Sequence, residues 1–183
     1  MELSSPIIHS TDLQSVNGVR CIYAPGHSID QIACKIGGLV FASDSIQGTG
    51  IEGDTFGKRI PQIASIGDYI RTIDTYAEME PETMVLGHNY LPFNSNVVEG
   101  SNIDRLLFES KNVVKELVEM GRSILDDGFL TLGEFATRLL NLFGISDLYP
   151  QAIITAQSIL SWLSSSIEKT SEGEIEFFRL KKE

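Results

Sequence analysis

Residues 24–45, APGHSIDQIACKIGGLVFASDS, hold two phrases in which one ligand-type side chain follows a turn or an apolar run; Val85-Leu86-Gly87-His88-Asn89 is a third. In Ala24-Pro25-Gly26-His27-Ser28 the imidazole sits in a turn. In Phe41-Ala42-Ser43-Asp44-Ser45 the carboxylate interrupts Leu39 to Ile46, whose other members are apolar or small. A carboxylate in such a run is costly unless it is paired, hydrogen-bonded or metal-bound. Taken singly, each Gly-His reads as a turn histidine, and Asp44 has a capping or turn role open to it. Imidazole nitrogen and carboxylate oxygen are also the donors that zinc and iron accept, and strand ends can bring such groups to one point.

Working outward, Val19 to Tyr23, Gln31 to Ile36 and Leu39 to Ala42 read as strands, with Gly37-Gly38 as a hairpin signal that needs positive φ. Ile63, Ile66, Ile70, Ile73 and Ala77 recur at helical spacing; Pro81 stops that helix before Met84, Val85 and Leu86. Past residue 100 the texture changes to long helical periodicity, giving two domains, 1–100 and 101–183. Ser101 and Asp104 form a near capping box for a helix to Asp126, with Ile103, Leu107, Val114, Leu117, Met120 and Ile124 on one face. Thr131 and Glu134 form a better box for a second helix, whose inward side carries Phe135, Leu139 and Leu142 before Gly144. Ile153, Ala156, Leu160, Leu163 and Ile167 mark a third helix over Pro150 to Ile167, and Glu174 to Leu180 reads as a strand. The tail is thus expected to be a small winged-helix-like unit.

The chain of 183 residues has a formal charge of -11, which repels phosphate backbones and anionic membranes, so nucleic-acid and membrane partners are disfavoured. No stretch has the roughly 20 apolar residues of a membrane span. Residues 1–13 lack the apolar core of a secretion signal. Cys21 and Cys34 match neither a metal knuckle nor a redox pair; they read as two small buried thiols, and the expected location is cytoplasmic.

In this order the three phrases resemble the metallo-β-lactamase superfamily, in which PGHS or PGHT, an aspartate after an apolar strand and a final GH supply successive metal ligands. The likeness covers residues 16–92, including Gly48-Thr49-Gly50 and the Pro81-Glu82-Thr83 approach to His88. More loosely, residues 101–182 resemble the winged-helix-like tail of the β-lactamase-like-2 branch. The resemblance implies an α+β fold, half of an αββα sandwich followed by a helical tail. It implies zinc, with iron or manganese as alternatives, in a pair about 4 Å apart whose hydroxide attacks an ester, thioester, amide or phosphodiester. His27 would bind the first metal, Asp44 would bridge, and His88 would bind the second. Tyr90 would contact substrate or, as composition favours, serve in packing, and Ser28 would be structural only.

The departures bear on completeness. The superfamily's HxHxDH motif, which supplies four ligands, is absent, and the chain has three histidines, of which His9 reads as a surface residue. Ser43 stands where the family prefers Gly, and Leu86 where it prefers Pro. Each metal would keep one His and a shared Asp, short of the three protein ligands of a catalytic zinc. One sheet face would also lack its apolar cover. A separate amino-terminal half, a homo-oligomer or a truncated reading frame would each account for this. The expectation is therefore a metal-dependent hydrolase incomplete in this chain and inactive alone. A non-catalytic assembly module and an iron-dependent oxygenase or redox member of the superfamily are the alternatives. His27, Asp44 and His88 are expected to converge.

Overall fold

A computed structural model of the chain describes residues 12–53 and 57–182; His9 lies outside them. Four strands come first: β1 (Asp12–Val16), β2 (Val19–Tyr23), β3 (Ile32–Ile36) and β4 (Leu39–Ser43). Helix α1 (Ile66–Met79) then leads to β5 (Thr83–Tyr90) and β6 (Ser95–Glu99). These strands form one sheet in the order β1-β2-β3-β4-β5-β6, in which β4 and β5 run parallel and the other neighbours antiparallel. The remainder is α2 (Ser101–Asp126), β7 (Leu130–Thr131), α3 (Leu132–Leu142), α4 (Pro150–Trp162), β8 (Ile167–Glu172) and β9 (Ile175–Leu180), with a small sheet ordered β7-β9-β8. The fold is mixed α+β, as the sequence indicates.

Strand alternation gives the large sheet two different faces. Ile22, Ala33, Val40, Ala42, Met84, Leu86 and Val98 are buried in one cluster with Ile66, Tyr69, Ile73 and Tyr76 of α1 and with the apolar stripe of α2. Burying an aliphatic side chain of that kind contributes roughly 1.5–3 kcal/mol, so this face anchors the helices. The opposite face follows from the register: Val19 faces Ile36, Cys21 faces Cys34 and Tyr23 faces Ile32, while Phe41 lies between Cys34 and Val85, and Val85 faces Val97. No described helix covers this face. Ile32 (46%), Ile36 (46%), Phe41 (43%) and Val97 (44%) are exposed there, an apolar patch on a charged protein.

Several expectations need correction. Cys21 and Cys34 form a disulfide rather than two thiols; antiparallel pairing sets them opposite each other with Cα atoms 4.0 Å apart, a register that their sequence spacing does not reveal. That bond removes the thiol reading, one of the two grounds for expecting a cytoplasmic location. Helix α1 begins at Ile66 with Ser65 as its cap, so Ile63, although fully buried, precedes it. Helix α2 starts after Gly100, which has φ 57 and makes no side-chain cap, instead of through a Ser101 box. The Thr131–Glu134 box is present on α3, but Leu142 at the end of that helix is 57% exposed, and the chain turns there to bury Ile145 instead. Helix α4 stops at Trp162, and Ile167 opens β8, a strand whose remaining residues are polar and half-buried or exposed and so carry no apolar alternation. Strand β6 was missed for the same reason, since Val98 is its one buried residue. No helix among the described residues is long and apolar enough to cross a membrane.

Helix α4 is tied to the segment before α1 by buried hydroxyls. Thr155 Oγ1 donates to Pro61 O at 2.9 Å and accepts from Ile63 N at 3.0 Å, and Ser158 Oγ accepts from Ile66 N at 3.0 Å. A buried hydroxyl costs free energy unless bonded, so these contacts fix the approach to α1 and not merely α4. Thr155→Val keeps the shape and leaves the Ile63 N–H without its partner, so stability should fall by about 1–3 kcal/mol, read as a lower urea midpoint at unchanged slope. A loss below about 0.5 kcal/mol, the usual size of an inconsequential surface change, would show that the hydroxyl does not hold the segment.

Candidate functional site

Asp44 leaves β4 where its pairing with β5 shifts register between Phe41 and Ser43, and Ser43 takes φ 50. That left-handed conformation is the one glycine adopts at least cost, which gives the departure at Ser43 its physical meaning. The turn aims the Asp44 carboxylate at the end of β5. A Cβ on Gly87 would lie 2.1 Å from Asp44 Oδ1, so only glycine lets the carboxylate lie against that backbone. Tyr90 Oη donates to Asp44 Oδ1 at 2.6 Å, and His88 Nε2 lies 3.8 Å from the same oxygen. The rings of His88 and Tyr90 meet edge to face, 5.8 Å between centroids.

His27 comes from a separate loop that α1 holds in place. Gly26 O accepts from Ala64 N and Ser65 N at 2.7 and 3.1 Å, and Thr72 Oγ1 donates to Pro25 O at 2.7 Å. With φ 134 and a Cβ position 2.4 Å from Tyr69 Cα, residue 26 has to be glycine to pack on the helix. Tyrosines of α1 support the Asp44 loop from below: Tyr69 Oη accepts from Gln47 N at 2.9 Å, and Tyr76 Oη is hydrogen-bonded to Ser45 Oγ.

The structure brings His27, Asp44, His88 and Tyr90 to the wall of one cavity of about 300 Å³. Tyr90, named with substrate contact or packing open to it, lines this cavity, is 2% exposed and donates its hydroxyl to Asp44. Ser28 donates to Asp30 Oδ1 at 2.9 Å and is not among the lining residues. Gln47, Arg59, Tyr149 and Gln151 also line the cavity and were not read from the sequence. The last two come from residues 101–183, so the tail builds part of the wall. The one available signal was a glutamine three residues after the candidate aspartate, and its importance shows only in the contacts. Gln47 is 4% exposed; its Nε2 lies 2.8 Å from His27 Nδ1 and donates to Gln62 O at 2.9 Å and Asp44 O at 3.1 Å, while its Oε1 accepts from Gln62 N at 3.0 Å.

Asp44 and His88 are close enough for both to reach one ion. The Nδ1 of His27 is directed at the Gln47 amide and, at 3.3 Å, at Gln62 O, so Nε2 is the nitrogen left to meet an ion. Among the described residues no group of three His, Cys, Asp or Glu side chains is placed to hold a metal. A catalytic zinc has three protein ligands, so the residues present do not fit a whole metal site.

Burial pushes Tyr69, Tyr76 and Tyr90 well above the ordinary tyrosine value of 10.0, and for Tyr90 the hydrogen bond to Asp44 and the carboxylate's charge push the same way. Above that value the unfolded chain loses phenolic protons that the folded chain keeps. The unfolded state then binds fewer protons, and stability falls as pH rises. Unfolding free energies from urea titrations should decline from about pH 9 to about pH 11 with a slope approaching 1.4 kcal/mol per pH unit for each buried tyrosine. Tyr76→Phe should remove roughly a quarter to a third of the summed slope, since burial raises Tyr149 as well. A flat profile would contradict the burial of all three phenols.

The sequence matches no protein-family model and no curated protein. Among solved structures it is similar to a metallo-beta-lactamase family protein from Thermus thermophilus, with TM-score 0.63 and 17% identity over 92% of this chain and 52% of that one. It is also similar to a beta-lactamase domain protein from Burkholderia ambifaria, with TM-score 0.64 and 12% identity over 95% of this chain and 52% of that one. The chain spans about half the length of each of these two structures. At these identities the likeness concerns the fold, and the chain folds as these metallo-β-lactamase proteins do over that half.

Proposed function

We propose that this chain is the portion of a metal-dependent hydrolase of the metallo-β-lactamase type that contributes His27, Asp44 and His88 as metal ligands. The observation that carries the reading is the meeting of these three side chains, 17 and 44 residues apart in succession, at one cavity. Asp44 presents a partly exposed carboxylate to that cavity, with the Tyr90 hydroxyl fixing one oxygen and His88 beside it, as a metal ligand would. The ligands still needed, an HxHxDH segment in the superfamily, come in this reading from polypeptide other than the described residues. The metal is zinc, with iron or manganese as alternatives, and the substrate class is an ester, thioester, amide or phosphodiester. The open apolar face of the large sheet supports the same reading, since it is the surface that a second sheet would cover.

Residues 1–100 would then be the carboxy-terminal half of the metallo-β-lactamase-like domain. Residues 101–183 would be a winged-helix-like unit, supported by the order helix, strand, helix, helix and hairpin from α2 to β9. A non-catalytic assembly module is the second reading, favoured by the lack, among the described residues, of three His, Cys, Asp or Glu side chains placed to hold one ion.

The test is paired. The chain alone should hold less than one equivalent of zinc tightly and show no turnover of generic ester, β-lactam or phosphodiester substrates. Co-expression with a polypeptide bearing HxHxDH should yield a complex with stoichiometric zinc and turnover that Asp44→Asn abolishes. Zinc and turnover in the lone monomer would overturn the proposal of an incomplete site. A complex that forms but has neither would favour the assembly module.

A further inference from the structure

The candidate cavity is lined by one cationic side chain of the lysine and arginine type, Arg59, and the metal reading does not use it. We propose that Arg59 is the recognition residue for an oxyanion, a carboxylate or phosphate group, on the molecule that this cavity takes. The proposal rests on reading the cavity as a substrate site.

Arg59 is held from two sides. Its backbone exchanges hydrogen bonds with Ile51, Ile51 N to Arg59 O at 3.0 Å and Arg59 N to Ile51 O at 2.8 Å, in an isolated antiparallel bridge. A Cβ on Gly50 would lie 2.1 Å from Arg59 O, so the absence of that side chain permits the close approach. The guanidinium carbon sits 4.4 Å from the centroid of the Tyr149 ring. That ring is fixed in turn, being 9% exposed with its Oη accepting from Ile60 N at 2.9 Å. A guanidinium held over an aromatic face by cation–π attraction spends none of its N–H groups on that contact, which leaves them for a planar or tetrahedral oxyanion.

Its donors are mostly unspent. Of the five N–H groups of a guanidinium, one makes a hydrogen bond to a described residue, Nη1 to Lys58 O at 3.1 Å. Among the described residues no carboxylate lies within ion-pair distance of Arg59, whereas Arg71, Arg105, Arg138 and Arg179 each have one. Arg122 also has no carboxylate partner among the described residues, so what distinguishes Arg59 is its place on the cavity wall over the Tyr149 ring. The Gln62 and Gln151 side chains on the same wall can add neutral donors. Charge-assisted, bidentate pairing with a carboxylate or phosphate is the chemistry that such an arginine performs best.

The full chain, labelled with nitrogen-15, would be titrated in low-salt buffer with sodium acetate and, separately, with inorganic phosphate. The expected result is a saturable shift of the Arg59 Nε–H and of the Ile51 and Ile60 amides with at least one anion. Arg59→Gln should weaken binding at least about tenfold, the scale of losing hydrogen bonds to a charged group. Arg59→Lys, which keeps the charge without the fork, should bind between the two, and Tyr149→Leu, which keeps the arginine but removes the ring beneath it, should weaken binding. Response to acetate alone identifies a carboxylate, response to phosphate alone a phosphate, and response to both a general oxyanion site. Absence of a saturable shift with either anion, or a shift that persists in Arg59→Gln, overturns the proposal. Failure of the metal reading shows separately, as a complex without zinc or turnover in which the Arg59 titration still holds.

Discussion

Parallel pairing of β4 with β5 is the constraint on which the cavity depends. It sets the carboxyl ends of both strands side by side, so that Asp44 at the end of one meets Gly87, His88 and Tyr90 at the end of the other. Parallel neighbours need a crossover, and the crossover here is α1. That helix lies under the strand ends and carries Tyr69, Thr72 and Tyr76, whose hydroxyls hold the loops of Asp44 and His27. A single topological requirement thus assembles groups distant in sequence. The glycines at 26 and 87 are where backbone and side chain come too close for any Cβ.

The same sheet is asymmetric. Its inner face is buried under α1 and α2, while Ile32, Ile36, Phe41 and Val97 stand exposed on the other. A cytosol-like or extracellular solvent would treat such a face alike: it costs free energy until something apolar covers it. The incomplete ligand set and the uncovered sheet are independent observations, one chemical and one of packing, and both lead to the same proposed completion. The tail takes part from the other side, since Tyr149 closes over Arg59 and Thr155 and Ser158 of α4 bond the segment leading to α1.

What was legible in the sequence was local. His27, Asp44 and His88 each stand in a phrase whose glycine or apolar neighbours mark the position, and the helices of the tail follow their apolar period, as with Phe135 and Leu139. Contacts made across the fold were not legible. Gln47 matters because it lies against His27 and Gln62; Tyr149 and Thr155 matter because they bond residues 89 to 94 positions away. Strand β8 has polar residues at every position after Ile167, so periodicity is silent there. The Cys21–Cys34 bond follows from strand register, which two cysteines and their spacing do not define. Leu142 fits its helical stripe but lies where α3 ends, beyond the neighbours that bury Phe135 and Leu139.

The central claim, as proposed, is that Asp44 and His88 form, with His27, part of a metal site that the described residues do not complete. Its most direct test is a zinc titration of the lone chain followed through the imidazole nitrogens of its histidines by NMR. The account expects weak, rapidly exchanging binding that moves the His88 signals and is lost in Asp44→Asn, because two donors hold zinc poorly. Tight one-to-one binding in slow exchange, or a His88 response indifferent to Asp44→Asn, would contradict it.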